Sequence, residues 1–158
     1  MAETVAESDV DVCLMHMLGE PRTMQDDPRY DDVVDDVRAF LEERDEFAVR
    51  EGVREERIMV DPGIGFGKTL EHNLELLRRL DRIATIGFPV VIGTSRKSFL
   101  GRLGVAPGDP PRPATERDAA TAATTVLAGL AGAWGVRVHH VPSSVDALRV
   151  VAATEQAR

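Results

Sequence analysis

The chain is short of several things, and each shortage excludes something. There is one cysteine, Cys13, so no intrachain disulfide can form. Cys13 lies in the apolar run VCLM, where a buried small residue is expected rather than a catalytic thiol. No apolar stretch approaches the ~20 residues of a membrane-spanning helix. The opening segment MAETVAESDVD is acidic and lacks the apolar stretch of a signal peptide, so a cytoplasmic protein is expected, with residues 1–9 a flexible acidic lead. Positive charge is scarce too. Nineteen basic residues face 27 acidic ones, for a net charge of −8. That balance argues against a general nucleic-acid binder, which needs a basic footprint. Among the basic residues only Lys68 and Lys97 are lysine. An acidic, arginine-rich, lysine-poor composition is expected of a halophile's cytoplasmic protein, although a high-GC genome would also favour arginine. The rarity makes the two lysines conspicuous, and both fall in glycine- or serine-rich turns after apolar runs.

What is present suits one globular domain. The 158 residues are 43% hydrophobic, enough for a single core. Residues 10–17, VDVCLMHM, read as a buried strand. A polar loop leads to a helix from Asp31 to about Arg50, with Val33, Val34, Val37, Phe40, Leu41 and Phe47 near helical spacing and Asp31 and Asp32 favouring its start. Arg57–Val60 is a second strand. The loop DPGIGFGKT follows it, and a helix over Leu70–Leu80 carries Leu74, Leu77 and Leu80 on one side. Phe88–Ile92 is a third strand, with its proline near the start, where a strand tolerates it. Then come GTSRKSF, in which Ser95 could cap a helix from Arg96, and a proline-rich loop over 104–114. A long helix of small residues over about 115–133 precedes a fourth strand at Gly135–Val138 and a last helix from Val145 to Ala153.

The order is βα repeated four times, which implies a parallel sheet covered by helices. Four units could form an open sheet; they are also half of an eight-unit barrel, which needs ~250 residues. MHM, DPGIGFGK, GTSRKS and RVHH all fall at strand ends, the edge where parallel α/β proteins bind ligands.

DPGIGFGKT invites a phosphate-loop reading, but G-x-x-x-x-G-K-[ST] requires glycine where Pro62 stands. The even spacing of Gly63, Gly65 and Gly67 also excludes G-x-G-x-x-G. The loop opens instead with Asp61, which could accept hydrogen bonds from a heterocycle's N–H and amino groups. In GTSRKS, backbone N–H groups, a helix start and Lys97 suit an anion. In RVHH, Arg137 and His139 alternate along a strand, share a side, and could hold a phosphate or pyrophosphate. No Cys/His cluster has zinc spacing.

These loops, in this order, resemble the dihydropteroate synthase family. The matching segments are CLMHMLGEPRTMQDDPRYDDV, DPGIGFGKTLEHNLELLRRL, GTSRKSFLG, VRVHHV and the terminal DALRVVAAT. The resemblance implies an α/β fold of four βα units, strands five to eight of a TIM (β/α)8 barrel, making residues 1–158 a partial pterin-binding domain. It implies condensation of 6-hydroxymethyl-dihydropterin diphosphate with p-aminobenzoate to dihydropteroate, with release of pyrophosphate. Asp61, Met15, Gly93, Lys97 and Arg137 would contact the pterin. Phe66 and Ser98 would contact p-aminobenzoate. Lys97, Arg137 and His139 would take part in catalysis, and His140 is assigned nothing. Mg²⁺ is implied, with its usual protein ligand in the half that has no counterpart here. A homodimer or a complementing amino-terminal half-barrel is the expected partner. The alternatives are a non-catalytic pterin-binding half-barrel that needs a partner, and a pterin-dependent methyltransferase-like domain.

Overall fold

The computed structural model describes residues 2–8 and 10–157. They form α1 (Ala2–Ala6), β1 (Val12–Met15), α2 (Val33–Arg50), β2 (Ile58–Asp61), α3 (Leu70–Arg78), α4 (Leu80–Ala84), β3 (Val91–Ile92), α5 (Ser98–Arg102), α6 (Asp118–Leu130), β4 (Gly135–Val136) and α7 (Val141–Gln156). Short 3₁₀ turns at Glu55–Arg57 and Ala114–Glu116 precede β2 and α6.

β1 pairs in parallel with β2, placing Val12 opposite Ile58 and Met15 opposite Asp61. β3 pairs in parallel with β4, with Val91 opposite Gly135. A parallel bridge between Val60 and Val90 joins the two pairs, and Val60 donates its N–H to the Pro89 carbonyl at 2.9 Å. The order is therefore β1-β2-β3-β4. Each strand lies beside its predecessor, so the chain never reverses direction across the sheet as a doubly wound fold does. With right-handed crossovers, such a progression puts all helices on one face. It is the progression of a (β/α)8 barrel, carried through four units.

The covered face is apolar. Val34, Val37 and Leu41 of α2, Ile58 and Val60 of β2, Leu76, Leu80, Ile83, Val90, Ile92 and Leu100 are all almost fully buried. Asp32 caps α2 by accepting from the N–H groups of Val34 and Asp35, which fixes the start near the expected position. Among the described residues, no helix covers the other face of the sheet. Cys13 and Met15 alternate with the half-buried Val12 and Leu14 and are exposed. The expectation of a buried Cys13 is thus corrected: its strand is apolar, but its side chain belongs to the uncovered face.

Several boundaries also differ. The helix expected over 70–80 breaks at Arg79 (φ −114°, ψ 33°). Its buried stripe is Asn73, Leu76 and Leu77, while Leu74 is exposed. β4 ends at Val136 rather than Val138, although Arg137 continues the ladder by donating to the Ile92 carbonyl at 2.9 Å. α7 starts four residues early, with Pro142 in its first turn, where proline costs nothing. Where a flexible acidic lead is expected, α1 forms one turn, and its Val5 and Ala6 pack against Ala48, Val53 and Ile58. Asp45 is an anomaly on the buried side of α2. It is 2% exposed, both carboxylate oxygens lack a hydrogen-bond partner, and burial pushes it up to about 6.

Candidate functional site

The strand ends converge on Asp61, the last residue of β2. Its loop turns back through Gly63, Gly65 and Gly67, with φ of 65°, 83° and 60°. Only glycine adopts this left-handed series without cost. Space demands glycine as well. A Cβ on Gly63 would lie 1.7 Å from the His16 carbonyl oxygen, and one on Gly67 would lie 2.6 Å from that of Leu18. The loop therefore presses against the chain leaving β1. Asn73 accepts the Gly65 N–H through Oδ1 at 2.6 Å, and Tyr30 donates its hydroxyl to the Gly67 carbonyl at 2.7 Å. Gln25 donates to the Gly65 carbonyl at 2.7 Å from the polar loop above.

Within this frame Asp61 is buried, and Oδ1 accepts the Gly63 N–H at 2.7 Å. Burial raises its pKa. The Gly63 bond and the charges of Lys97, Arg137 and Lys68 oppose that rise. Gly93, just past β3, leaves a gap between carboxylate and guanidinium. A Cβ there would meet Asp61 Oδ2 at 3.6 Å and Arg137 Nε at 3.7 Å. Met15 stands opposite Asp61 in the β1–β2 register and reaches the Gly63 position with its Cγ. Four of the sequence candidates, Met15, Asp61, Gly93 and Arg137, thus occupy one patch of the uncovered face.

Lys97 approaches from the third loop. Its Nζ donates to the Ile64 carbonyl and lies 4.2 Å from the centroid of the Phe66 ring. The missing side chain of Gly65 makes room for it, since a Cβ there would be 2.8 Å from Lys97 Cδ. Burial pulls Lys97 down to about 8, against the attraction of Asp61. Phe66 and Lys97 are thus joined, and both border the Asp61 patch. Ser98 opens the five-residue α5 and is exposed.

One expectation about the third loop needs correction. Ser95 does not cap a helix. Its Oγ accepts the His139 N–H at 3.0 Å and pairs with the ring Nδ1 at 2.9 Å, so it orients His139 instead. The backbone donors of Arg96 and Lys97 are also already engaged, which leaves those at Ser98 and the start of α5 for an anion. The Arg96 N–H goes to Thr121 Oγ1 at 3.1 Å and the Lys97 N–H to the Thr94 carbonyl at 3.1 Å. Arg96 holds a left-handed backbone (φ 57°) without being glycine. Its guanidinium makes a bidentate pair with Asp118 at 2.7 and 2.8 Å, and buried Arg117 donates to its carbonyl at 2.7 Å. His139 is exposed beside this loop, and His140 bonds its neighbour Ser143 at 2.8 Å.

The residues that sequence reasoning did not assign are supports: Lys68, His16, Asn73, Ser95, Arg96, Asp118 and Arg117. Lys68 and His16 had a signal, the scarcity of lysine and the strand-end MHM. Arg117 had none. Among the described residues no group of three or more His, Cys, Asp or Glu side chains could hold a metal. Asp61 stands among Lys68, Lys97 and Arg137, an environment for an anion rather than for Mg²⁺. Among the described residues, no helix is long and apolar enough to cross a membrane.

The arrangement offers a buried carboxylate for hydrogen-bond donors, a guanidinium and an ammonium beside it, and one aromatic ring. The chain as a whole is similar to known proteins. The family profile described as "Pterin binding enzyme" matches residues 1–139. The chain is 42% identical to the dihydropteroate synthase of Escherichia coli K12 over 99% of its own length and 53% of that protein's. It is 47% identical to that of Mycobacterium leprae over 97% of its length and 54% of the relative's. The Yersinia pestis dihydropteroate synthase solved with a sulfonamide drug superposes with a TM-score of 0.91 at 38% identity, covering 99% of this chain and 55% of that one. The chain spans about half the length of the curated relatives it matches.

Proposed function

Because this chain belongs to the pterin-binding enzyme family, we propose that it is the carboxy-terminal half of a dihydropteroate synthase and supplies that enzyme's pterin and p-aminobenzoate contacts. The observation that carries this reading is the convergence of Asp61, Gly93 and Arg137 with the Lys97–Phe66 pair on one uncovered patch. In this reading Asp61 accepts from the pterin's ring N–H and amino groups. The absence of a side chain at Gly93 lets the flat ring lie close to the backbone. Met15 forms a wall, and Arg137 stacks on the ring. Phe66 lies against the ring of p-aminobenzoate, and Ser98 meets its carboxylate.

The chemistry follows from the charges. The amine of p-aminobenzoate attacks the pterin methylene carbon, a C–N bond forms and the C–O bond to pyrophosphate breaks. Negative charge grows on the leaving group, where Arg137 and His139 stabilise it, and positive charge grows on the pterin, where Asp61 offsets it. Lys97, pulled to about 8, bridges the two substrate positions. A metal on the leaving group would be held by the substrate's own oxygens and by groups outside this cluster.

β1 and β4 are edges of the sheet, and one face is uncovered. An open edge and an apolar face favour completion by further strands, whether of the same polypeptide, of another copy or of a separate half-barrel. The acidic, arginine-rich composition supports a cytoplasmic protein working at high salt. A second reading is a half-barrel that binds pterin without turnover, since the pterin contacts converge here while one sheet face stays uncovered.

The test is titration calorimetry with pterin diphosphate and with p-aminobenzoate, in parallel with pyrophosphate release, alone and mixed with a relative's amino-terminal half. Asp61→Asn and Lys97→Ala should each weaken pterin binding by roughly tenfold or more. Unchanged affinity in both variants rejects the assignment. Binding without pyrophosphate release in the completed barrel selects the second reading.

A further inference from the structure

Lys68 is 3% exposed, yet it carries a charge that the mechanism above does not use. Its Nζ meets three partners: the Gly63 carbonyl at 3.0 Å, the Phe66 carbonyl at 3.1 Å and Nδ1 of His16 at 2.8 Å. An ammonium has three donors and no acceptor, so three acceptors satisfy it completely. His16 is itself buried and held neutral, at about 4, by that burial and by Lys68's charge. Its Nδ1 is then available as an acceptor. His16 also donates its backbone N–H to the Asp61 carbonyl at 3.0 Å and sets its ring edge-on to Phe40, so its own position is fixed.

We propose that Lys68 is a positioning residue: its ammonium latches the carbonyls of Gly63 and Phe66 to His16 and so sets where the Phe66 ring lies against the Lys97 ammonium. The proposal deepens the functional reading, on which its substrate consequence rests, but the latch itself is a statement about this loop. The three glycines leave the loop free to choose other conformations. Asn73 and Tyr30 hold the Gly65 N–H and the Gly67 carbonyl, and Gln25 the Gly65 carbonyl. Lys68 is the side chain that holds the Phe66 carbonyl. The groups facing it are His16 after β1, Asp61 at the end of β2, the Tyr30 ring 5.9 Å away and Lys97.

The scarcity of lysine makes the test direct. With lysine labelled by ¹³C at Cε, the chain yields two side-chain signals, and Phe66→Leu identifies Lys97 by removing its ring-current shift. In Lys68→Met, Lys97's ring-current shift should fall by half or more. Lys68→Arg, which keeps the donors, should retain most of it. A folded Lys68→Met chain with Lys97 unmoved overturns the proposal. Should that variant fail to fold, wild type decides. Burial pulls Lys68 to about 7, and the ring-current part of the Lys97 shift, taken as the difference from Phe66→Leu at each pH, should step where Lys68's own signal titrates. A difference that stays flat there overturns it equally.

Rested on the functional reading, Lys68→Met should weaken p-aminobenzoate binding by roughly tenfold. If the Lys97 signal moves and p-aminobenzoate affinity does not, the latch stands and the assignment of Phe66 to that substrate fails.

Discussion

The two loops that build the patch are held differently. The loop over 61–69 takes its shape from within, by three left-handed glycines, the Asp61–Gly63 turn and Lys68, with Tyr30, Gln25 and Asn73 adding bonds from outside. The loop over 93–98 contains one left-handed residue, Arg96, which is not a glycine. It is held from outside, by Asp118, Thr121 and Arg117 around the start of α6, and in turn it fixes His139 through Ser95. A loop of the first kind depends on backbone geometry. One of the second kind depends on distant side chains and can lose shape while the fold survives.

The sharpest way to break the first loop is therefore at its backbone. Gly63→Ala sets a methyl 1.7 Å from the His16 carbonyl, against backbone that cannot swing aside. The expected loss is on the order of 4 kcal/mol or more, with thermal melting as the measurement. By contrast, Gly65→Ala meets the flexible Lys97 side chain and should displace Lys97 at smaller cost. Equal losses at the two glycines would refute the idea that β1's backbone is what the loop presses on.

The loops should also differ in pH response. His16 titrates at about 4 in the folded chain against an ordinary 6.5. Between those values the unfolded chain binds the extra proton, so stability falls as pH drops from 6.5 to 4. The gap corresponds to about 3 kcal/mol. Asp45, raised to about 6, works in the opposite direction over part of this window. The informative quantity is thus the difference between wild type and His16→Asn in denaturant midpoint at each pH. It should narrow from pH 6.5 to 4. Asp118, whose pairing with Arg96 lowers its pKa, should make the second loop sensitive only below the ordinary carboxylate range. A His16→Asn difference that is flat with pH would remove this distinction.

The same contrast explains what could be read in the sequence. The βα order, the strand-end clusters and the glycine loop are legible because hydrophobic period, turn residues and spacing are local. Asp61, Gly93, Phe66 and Lys97 stood out for that reason, and the first two belong to or flank short apolar strands. The break at Arg79 was not legible, since the leucine spacing runs through it. Neither was the exposure of Cys13, because an apolar strand does not say which of its faces a helix covers. Ser95 and Arg117 act across 44 and 21 residues of sequence, where no local pattern reaches. Asp45, a charge on the core side of α2, contradicts the period that otherwise located the helix.

For the second loop the largest expected effect is at Arg117. It donates to the carbonyls of Arg96 and Arg112 and is buried. Arg117→Ala leaves those acceptors without their partner, at a cost of roughly 1.5–3 kcal/mol. Because Arg96 then loses its carbonyl anchor, amide exchange should accelerate over 94–98 and at His139 but not over 62–68. Uniform acceleration would mean that the loops are one unit.

Asp118→Asn is the mildest probe and the most specific. The Asp118–Arg96 pair is bidentate but about one-third exposed on each side, so solvent screens it and the expected loss is small. Arg96 needs more than charge, since its left-handed backbone costs of order 1 kcal/mol that the pair helps to offset. Arg96→Gly removes that strain while also removing the pair. The double variant Arg96→Gly with Asp118→Asn should therefore be no less stable than Asp118→Asn alone, measured by urea midpoint at unchanged slope. A further loss in the double variant would show that the Arg96 side chain stabilises the loop through something other than Asp118, and the loop would then be held as locally as its neighbour.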